Sequence, residues 1–276
     1  MSELDCRGRL LSLDRPVLMG VLNVTPDSFS DGGRFVDTRT AVDQAHAMVA
    51  AGAAIIDIGG ESSRPGAEPV NETEELDRVL PVIEALSGRI DAIISIDTIK
   101  PAVMRAACVA GAGLINDIRA LQEPGALDVA AASGAAICLM HMQGGPRTMQ
   151  ASPRYDDVVE DVGTFLARRL AACEAAGIPR RRLLVDPGFG FGKTLAHNLA
   201  LLRHLDRFGS LGVPLLVGLS RKSMFSKLLG DMTPEQRVPA SVAAAAISVL
   251  GGARVLRTHD VEATRQGVEL AWALPA

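Results

Sequence analysis

The chain has 276 residues, 48% of them apolar, and 28 Lys+Arg against 32 Asp+Glu give a formal net charge of −4. This length and apolar content indicate a globular protein with a sizeable core. The mild acidity disfavours nucleic acid or an anionic membrane surface as a partner, because both select clustered positive charge.

Neither a secretion signal nor a membrane span is predicted. The amino terminus has no apolar signal region, and the longest apolar stretch, residues 242–250, is shorter than the roughly 20 residues that cross a bilayer. The four cysteines lie too far apart for a zinc site of the C-x₂₋₄-C kind. We therefore expect a cytosolic protein with reduced, mostly buried thiols.

Short apolar runs recur along the chain, and most are followed by a polar or glycine-rich break and a helical pattern. They predict strands at residues 17–22, 54–58, 92–96, 114–115, 135–140, 183–185, 215–217 and 253–256. Helices are predicted at residues 38–51, 72–86, 101–110, 155–176, 195–208 and 241–250. Gly52 and Gly177 stand where a left-handed helix C-cap is expected.

Alternating strands and helices predict right-handed crossovers and a parallel sheet. Eight such units in a chain of this length match a (β/α)₈ barrel, whereas a doubly wound sheet usually has fewer strands. No linker or composition break divides the chain, so a single α/β domain is predicted. Residues 7–14 are predicted to form a short strand pair that closes the bottom of the barrel.

A barrel of this kind carries its chemistry on the loops that follow its strands, so the polar residues after each apolar run are candidates. They are Asn23, residues 61–64, Asp97, Asn116, His141, Asp186, residues 220–223 and residues 257–259. An Asp or Asn at a strand end is also a common helix N-cap or turn former, and any one of them alone fits that role equally well. Together they converge on one mouth of the predicted barrel.

These residue types suggest a ring-binding site beside an anion site. A carboxylate accepts two parallel N–H bonds from the guanidine-like edge of a flat, nitrogen-rich ring. Arg64, Arg257 and His259 are donors suited to a phosphorylated substrate, and Arg257 follows a buried strand, which disfavours a surface ion pair. Asn23 offers an oxygen to Mg²⁺, which shares its shell with waters and phosphate oxygens. His141 fits a satisfied, partly buried histidine as well as a functional one.

The glycine-rich segment 186–194 invites interpretation as a nucleotide-binding loop, but its spacing is wrong. A G-x-x-x-x-G-K-[ST] loop needs glycine where Pro187 stands, and a G-x-G-x-x-G motif would end on Lys193. The glycines instead predict a barrel loop that turns tightly over the substrate, with Phe191 packing on a ring.

Six segments closely resemble the signature segments of the bacterial dihydropteroate synthase family. They are LNVTPDSFSDGG at 22–33, DIGGESSRPGA at 57–67, IDT at 96–98, INDI at 115–118, DPGFGFGK at 186–193 and SRKSM at 220–224. The resemblance implies a (β/α)₈ enzyme that joins 6-hydroxymethyl-7,8-dihydropterin diphosphate to 4-aminobenzoate and releases pyrophosphate with Mg²⁺. It also implies a homodimer, for which the apolar helix 241–250 is a candidate face, although burial against the barrel explains that helix equally well.

The resemblance further assigns roles position by position. The pterin would be held by Asp97, Asn116, Asp186 and Lys222, with Met140, Phe191 and Gly218. The diphosphate would be held by Ser63, Arg64, Arg257 and His259, and Mg²⁺ by Asn23. The 4-aminobenzoate pocket, also the sulfonamide site, would comprise Phe29, Arg64, Pro65, Phe191, Lys222 and Ser223. The catalytic residues would be Asp97, Lys222 and Arg64. Ser63 replaces the usual threonine of its loop but keeps the hydroxyl.

Three alternatives remain open on the sequence alone. A pterin-dependent methyltransferase of the corrinoid type shares the barrel and its pterin-binding Asp and Asn, but should lack the anion-binding groups at 220–223 and 257–259. The other two are a non-catalytic pterin-binding paralogue and a generic sugar-phosphate barrel enzyme. Loops 25–35 and 62–67 are expected to close over the substrate.

Overall fold

The structure is a computed structural model that describes residues 3–25, 33–62, 69–145 and 148–274, with only the backbone described for 33–37. The strands are β1 (Glu3–Cys6), β2 (Arg9–Ser12), β3 (Val17–Asn23), β4 (Ala53–Gly59), β5 (Ile93–Asp97), β6 (Leu114–Asp117), β7 (Ala136–Met140), β8 (Leu183–Asp186), β9 (Leu216–Val217) and β10 (Val255–Thr258). The helices are α1 (Gly33–Ala50), α2 (Glu72–Leu86), α3 (Pro101–Ala110), α4 (Ala126–Ser133), α5 (Val158–Ala175), α6 (Leu195–Arg203), α7 (Met224–Leu229), α8 (Val238–Leu250) and α9 (Val261–Ala273).

Strands β3 to β10 form one parallel sheet that curls into a barrel. The neighbour order is β8-β7-β6-β5-β4-β3-β10-β9. A parallel bridge between Val185 and Leu215 brings β8 beside the segment that leads into β9, so the two edges meet. All eight predicted barrel strands are confirmed, and the (β/α)₈ architecture is confirmed with them.

Several predicted helix boundaries are wrong. Helix α5 begins at Val158 rather than 155 because the Asp157 side chain caps it, accepting from the backbone N–H groups of Val159 and Glu160. Helix α6 ends at Arg203, and the chain continues as a 3₁₀ turn, Leu205–Leu211, rather than as α-helix to 208. Helices α4, α7 and α9 were not predicted.

The amino-terminal strand pair lies where it was expected but begins earlier. Strands β1 and β2 pair antiparallel around a turn at Arg7 and Gly8, both with positive φ (59° and 84°). Positive φ at both central residues is typical of a tight hairpin turn, and here it places the turn at the predicted start of the pair. Leu4 and Leu13 are fully buried and pack against inward-facing barrel residues.

The barrel interior changes from apolar to polar along its axis. Alternate residues of a strand face the same side, so Ile55 in the apolar bottom layer is followed on that face by Asp57. On the neighbouring strand, Ile93 is followed by Ser95 and then Asp97, and Ser95 pairs in register with Asp57. The upper interior of the barrel is therefore lined by polar side chains.

Two further predictions concern the whole chain. The four cysteines are buried and free, as expected: Cys6, Cys108, Cys138 and Cys173. Over the ranges that the structure describes, no helix combines the length and apolar character needed to cross a bilayer.

Candidate active site

A cavity opens at the carboxyl end of the barrel strands. It is lined by Asp97, Asn116, Ile118, Met140, Asp186, Phe189, Phe191, Gly218, Lys222 and Arg257. All but Ile118 and Phe189 were predicted as site residues from the sequence. The structure thus brings residues from six different strands or the loops after them to one place.

Asp57 organises this cavity from below and was not predicted as a site residue. Its carboxylate is fully buried. It accepts from Ser95 Oγ at 2.6 Å, from Asn116 Nδ2 at 3.1 Å and from Arg257 Nε at 2.6 Å. Asp57 stands inside an apolar run of the sequence. An uncompensated buried charge is costly, so a charged residue within a predicted buried strand must have partners, and this was the signal that could have identified it.

The contact with Asp57 fixes the orientation of the Asn116 amide. An ionised carboxylate can only accept, so the atom of Asn116 that faces Asp57 must be the donor Nδ2. The carbonyl Oδ1 is then left for a donor in the cavity, which Asn116 lines. The cavity therefore offers an acceptor at this position.

Arg257 links Asp57 to Asp97. Besides its bond to Asp57, it donates from Nη2 to Asp97 Oδ2 at 2.8 Å. Burial by itself lowers the pKa of Arg257, but the two carboxylates overcome this effect and the pKa lies above its ordinary value. Arg257 thus forms an ion pair inside the barrel mouth rather than on the surface.

Three cavity residues have pKa values shifted towards neutrality. Burial raises the pKa of Asp97 to about 7, against the opposing charge of Arg257. Burial also raises the pKa of Asp186 to about 6, against a hydrogen bond of 2.7 Å from the Gly188 N–H and the charge of Lys222. Burial lowers the pKa of Lys222 to about 8, and Asp186 opposes that shift.

Lys222 and Phe191 meet at the side of the cavity. Lys222 Nζ lies 4.2 Å from the centroid of the Phe191 ring, within the range of a cation–π interaction. The ring belongs to the glycine-rich segment, where Gly188, Gly190 and Gly192 have φ values of +71°, +83° and +62°. These left-handed residues confirm the predicted tight loop.

The structure distinguishes the alternative roles of three strand-end residues, Asp97, Asn116 and Asp186. The helix that follows β5 is capped at Lys100 and the helix after β6 at Gly125, so neither Asp97 nor Asn116 is an N-cap. Asp186 does form a turn, through its bond to Gly188. His141 is a satisfied buried histidine whose Nδ1 lies 3.0 Å from Lys193 Nζ.

Three predicted site residues lie apart from the cavity lining. Asn23 ends β3 beside Gly59, where an added Cβ would lie 3.8 Å from both Asn23 Oδ1 and Asp97 Oδ2. His259 Nδ1 lies 3.0 Å from Ser220 Oγ. Ser223 is exposed at the start of α7, which has only six residues and no side-chain cap bond.

A metal would need ligands beyond those that these parts of the protein provide. Within the described ranges, no group of three or more His, Cys, Asp or Glu side chains is arranged to hold one. A single amide oxygen from Asn23 nevertheless fits Mg²⁺, which keeps several waters and substrate phosphate oxygens in its shell.

Four predicted site residues lie outside the described residues: Phe29, Ser63, Arg64 and Pro65. The same holds for most of loops 25–35 and 62–67, which were predicted to close over the substrate.

Comparison with known proteins is consistent with this geometry. The family described as pterin binding enzyme matches residues 19–259. The dihydropteroate synthase of Escherichia coli (strain K12) is 51% identical over 271 residues, covering 98% of this chain and 96% of that protein.

Two solved structures are similar over the full length. Xanthomonas albilineans dihydropteroate synthase with 4-aminobenzoic acid has a TM-score of 0.93 and 52% identity, with 99% of each chain covered. Its complex with 7,8-dihydropteroate has a TM-score of 0.87 and 46% identity, with 100% of each chain covered. The chain therefore belongs to the pterin binding enzyme family, in which its close relatives are dihydropteroate synthases.

Proposed function

We propose that this enzyme condenses 6-hydroxymethyl-7,8-dihydropterin diphosphate with 4-aminobenzoate to give 7,8-dihydropteroate and pyrophosphate. The observation that carries the proposal is the convergence of Asp97, Asn116, Asp186 and Lys222 on one cavity. Two carboxyl groups and an amide oxygen match the N–H groups of a pterin ring, and the full-length similarity to dihydropteroate synthases supports the same reaction.

The pterin ring would occupy the cavity itself. Asp97, Asp186 and Asn116 Oδ1 would accept from ring N–H groups, and Lys222 would donate to a ring acceptor. Met140, Phe191 and Gly218 would complete the walls. Because Asp57 holds the Asn116 amide in one orientation, the site would select for a donor on the ring at that position.

The diphosphate would lie at the rim of the cavity. Arg257 uses Nε and Nη2 for Asp57 and Asp97, so Nη1 would face the diphosphate together with His259. Ser63 and Arg64 complete the proposed set by position in the sequence. Asn23 would hold Mg²⁺, which when bound would neutralise part of the diphosphate charge.

The second substrate would enter beside Phe191 and Lys222, with Ser223 at its exposed end. Phe29, Arg64 and Pro65 would complete this pocket by position in the sequence. Sulfonamides that mimic 4-aminobenzoate would bind to the same pocket.

The proposed reaction is dissociative. The bond between the pterin methylene and the diphosphate oxygen breaks, and its electron pair leaves with pyrophosphate. The amine nitrogen of 4-aminobenzoate then forms the new C–N bond and loses a proton. Acceptors on the pterin side, led by Asp97, and donors on the diphosphate side, Arg64, Arg257 and His259, would stabilise the separating charges. A pyrophosphate-releasing step whose rate depends strictly on 4-aminobenzoate concentration in pre-steady-state kinetics would contradict this order.

A coupled assay of pyrophosphate release, run with and without 4-aminobenzoate, tests the function. We expect release together with an equal amount of dihydropteroate when both substrates are present. A methyltransferase, a non-catalytic paralogue or a sugar-phosphate enzyme would give no such product. The anion-binding residues Arg257 and His259 disfavour the methyltransferase, and the two cavity aspartates disfavour the sugar-phosphate enzyme.

We also propose a single-domain, cytosolic homodimer. Helix α8 buries one face against the barrel, including Ala244 and Val249, while Ile247 and Leu250 are 48% and 62% exposed. Leu228 on α7 and Leu270 on α9, the helix that packs against α8, are also exposed. Sedimentation velocity of the wild type and of Ile247→Glu tests this interface, and a monomeric wild type at micromolar concentration would contradict it.

A further inference from the structure

Lys193 is a buried lysine that the proposed reaction does not use. It follows the last glycine of the glycine-rich segment after β8, and only 2% of the residue is exposed. Burial lowers the pKa of Lys193 to about 7, with Asp186 opposing this shift and Lys222 adding to it. Burying an ammonium group costs free energy, so an apolar side chain of similar length would fill this position at a lower cost.

The hydrogen bonds of Lys193 all converge on the loop that it terminates and on the end of β7. Nζ donates to Gly188 O at 2.9 Å and to Phe191 O at 3.0 Å, and it lies 3.0 Å from His141 Nδ1. The three short contacts match the three donors of an ammonium. As a neutral amine, Nζ still has two N–H donors for the carbonyls and a lone pair for a His141 Nδ1–H. Both carbonyl contacts are therefore available in either protonation state.

Other side chains hold the same loop from its remaining sides. Tyr155 donates from its hydroxyl to Gly192 O at 2.8 Å, and Gln150 Nε2 donates to Gly190 O. The Gly190 N–H donates to Asn198 Oδ1 at 2.7 Å. Lys193 is the member of this set that bonds to the carbonyl of Phe191 itself.

We propose that Lys193 is a positioning residue that holds the Phe191 ring against Lys222 and thereby sets the affinity for 4-aminobenzoate. The inference rests on the proposed function, which places Phe191 and Lys222 in the 4-aminobenzoate pocket. Two contacts of Phe191 connect Lys193 to Lys222. Lys193 Nζ fixes the Phe191 carbonyl, and the ring of the same residue lies 4.2 Å from Lys222 Nζ. Loss of the Lys193 hydrogen bonds would leave the buried Gly188 carbonyl and the partly buried Phe191 carbonyl without this donor, and would let the turn shift.

The test compares Lys193→Met with Phe191→Leu and with the double variant. Assays run at pH 8, above the pKa of about 6 of Asp186 and the pKa of about 7 of Lys193, so that the substitution removes little charge and Asp186 stays ionised. We expect Lys193→Met to raise the KM for 4-aminobenzoate by about tenfold, and to raise the KM for the pterin diphosphate, whose cavity Phe191 also lines, by much less. The matched control is Lys227→Met on α7, an exposed lysine whose loss should change neither KM.

The double variant distinguishes positioning from general destabilisation. If Lys193 acts through Phe191, the two effects on the KM for 4-aminobenzoate are less than multiplicative. The inference is overturned if Lys193→Met raises both KM values equally. It is also overturned if Phe191→Leu raises the KM for 4-aminobenzoate but Lys193→Met leaves that KM unchanged. If Phe191→Leu leaves the KM for 4-aminobenzoate unchanged, the proposed 4-aminobenzoate pocket is wrong, and this inference is wrong with it.

A milder variant covers the case in which Lys193→Met does not fold. Tyr155→Phe removes only the hydroxyl bond to Gly192 O. We expect it to raise the KM for 4-aminobenzoate by about two- to threefold, and the KM for the pterin diphosphate to stay constant. No rise in the 4-aminobenzoate KM of Tyr155→Phe contradicts the positioning role of the loop contacts.

Discussion

Arg257 Nε donates to Asp57 Oδ2 at 2.6 Å, although the two residues are 200 positions apart in the chain. The contact joins β10 to β4 across the barrel interior, and the same carboxylate holds the Asn116 amide. Asp57 therefore orients two proposed substrate-binding groups without belonging to the cavity lining itself.

The first prediction concerns this buried network. Asp57→Asn removes the charge that compensates Arg257 and places an amide where Asn116 Nδ2 needs an acceptor. We expect the free energy of unfolding, measured by urea denaturation, to fall by about 3 kcal/mol, as for other broken buried pairs. Ser95→Ala loses only one hydrogen bond to the same carboxylate and should cost about 1 kcal/mol. Equal losses for the two variants would count against the network.

The second prediction concerns substrate discrimination. Asp97→Asn keeps the shape of the side chain but weakens an acceptor for the pterin ring. Bonds to charged groups are worth about 1.5–3 kcal/mol, so kcat/KM for the pterin diphosphate should fall by roughly 10- to 100-fold. The KM for 4-aminobenzoate should stay near the wild-type value. If the kinetic constants for 4-aminobenzoate change more than those for the pterin diphosphate, Asp97 contacts 4-aminobenzoate rather than the pterin ring.

The third prediction concerns pH. The pKa of Asp186 is about 6 in the folded protein against its ordinary 3.8, so between these values the folded state binds the proton and the unfolded state does not. Stability is therefore lost as pH rises from about 4 to 6. Asp186→Asn can still accept from the Gly188 N–H and should remove this loss. Urea denaturation of the wild type and of Asp186→Asn at pH 4 and pH 7 measures how much unfolding free energy each loses as the pH rises. Equal losses in the two proteins would refute the prediction.

The fourth prediction compares two glycines of one loop. Gly188 and Gly190 both have left-handed φ, so alanine at either position incurs backbone strain of roughly 1–2 kcal/mol. An added Cβ on Gly188 would lie 1.9 Å from the backbone oxygen of His141, whereas on Gly190 it would lie 3.3 Å from the flexible Lys222 side chain. Gly188→Ala should therefore lower the melting temperature much more than Gly190→Ala. Similar decreases in melting temperature for the two variants would mean that the backbone near Gly188 shifts to accommodate the added Cβ.

The sequence predicts the barrel and most of its cavity because both depend on local periodicity. A residue at the end of a buried strand must reach the mouth, which is how Asp97 and Asp186 were identified. Asp57 was missed because it stands inside an apolar run, and its partners come from β5, β6 and β10. The role of Lys193 was equally hidden, since its burial depends on how the loop folds back onto His141.

We expect the cavity above Asp57 to bind the pterin ring in an orientation fixed by Asn116. A crystal structure of the protein with 7,8-dihydropteroate tests it most directly. We expect ring N–H groups within hydrogen-bond distance of Asn116 Oδ1 and of the Asp97 and Asp186 carboxyl groups. A pterin ring bound outside this cavity, or Asn116 turned so that Nδ2 faces the ring, would contradict it.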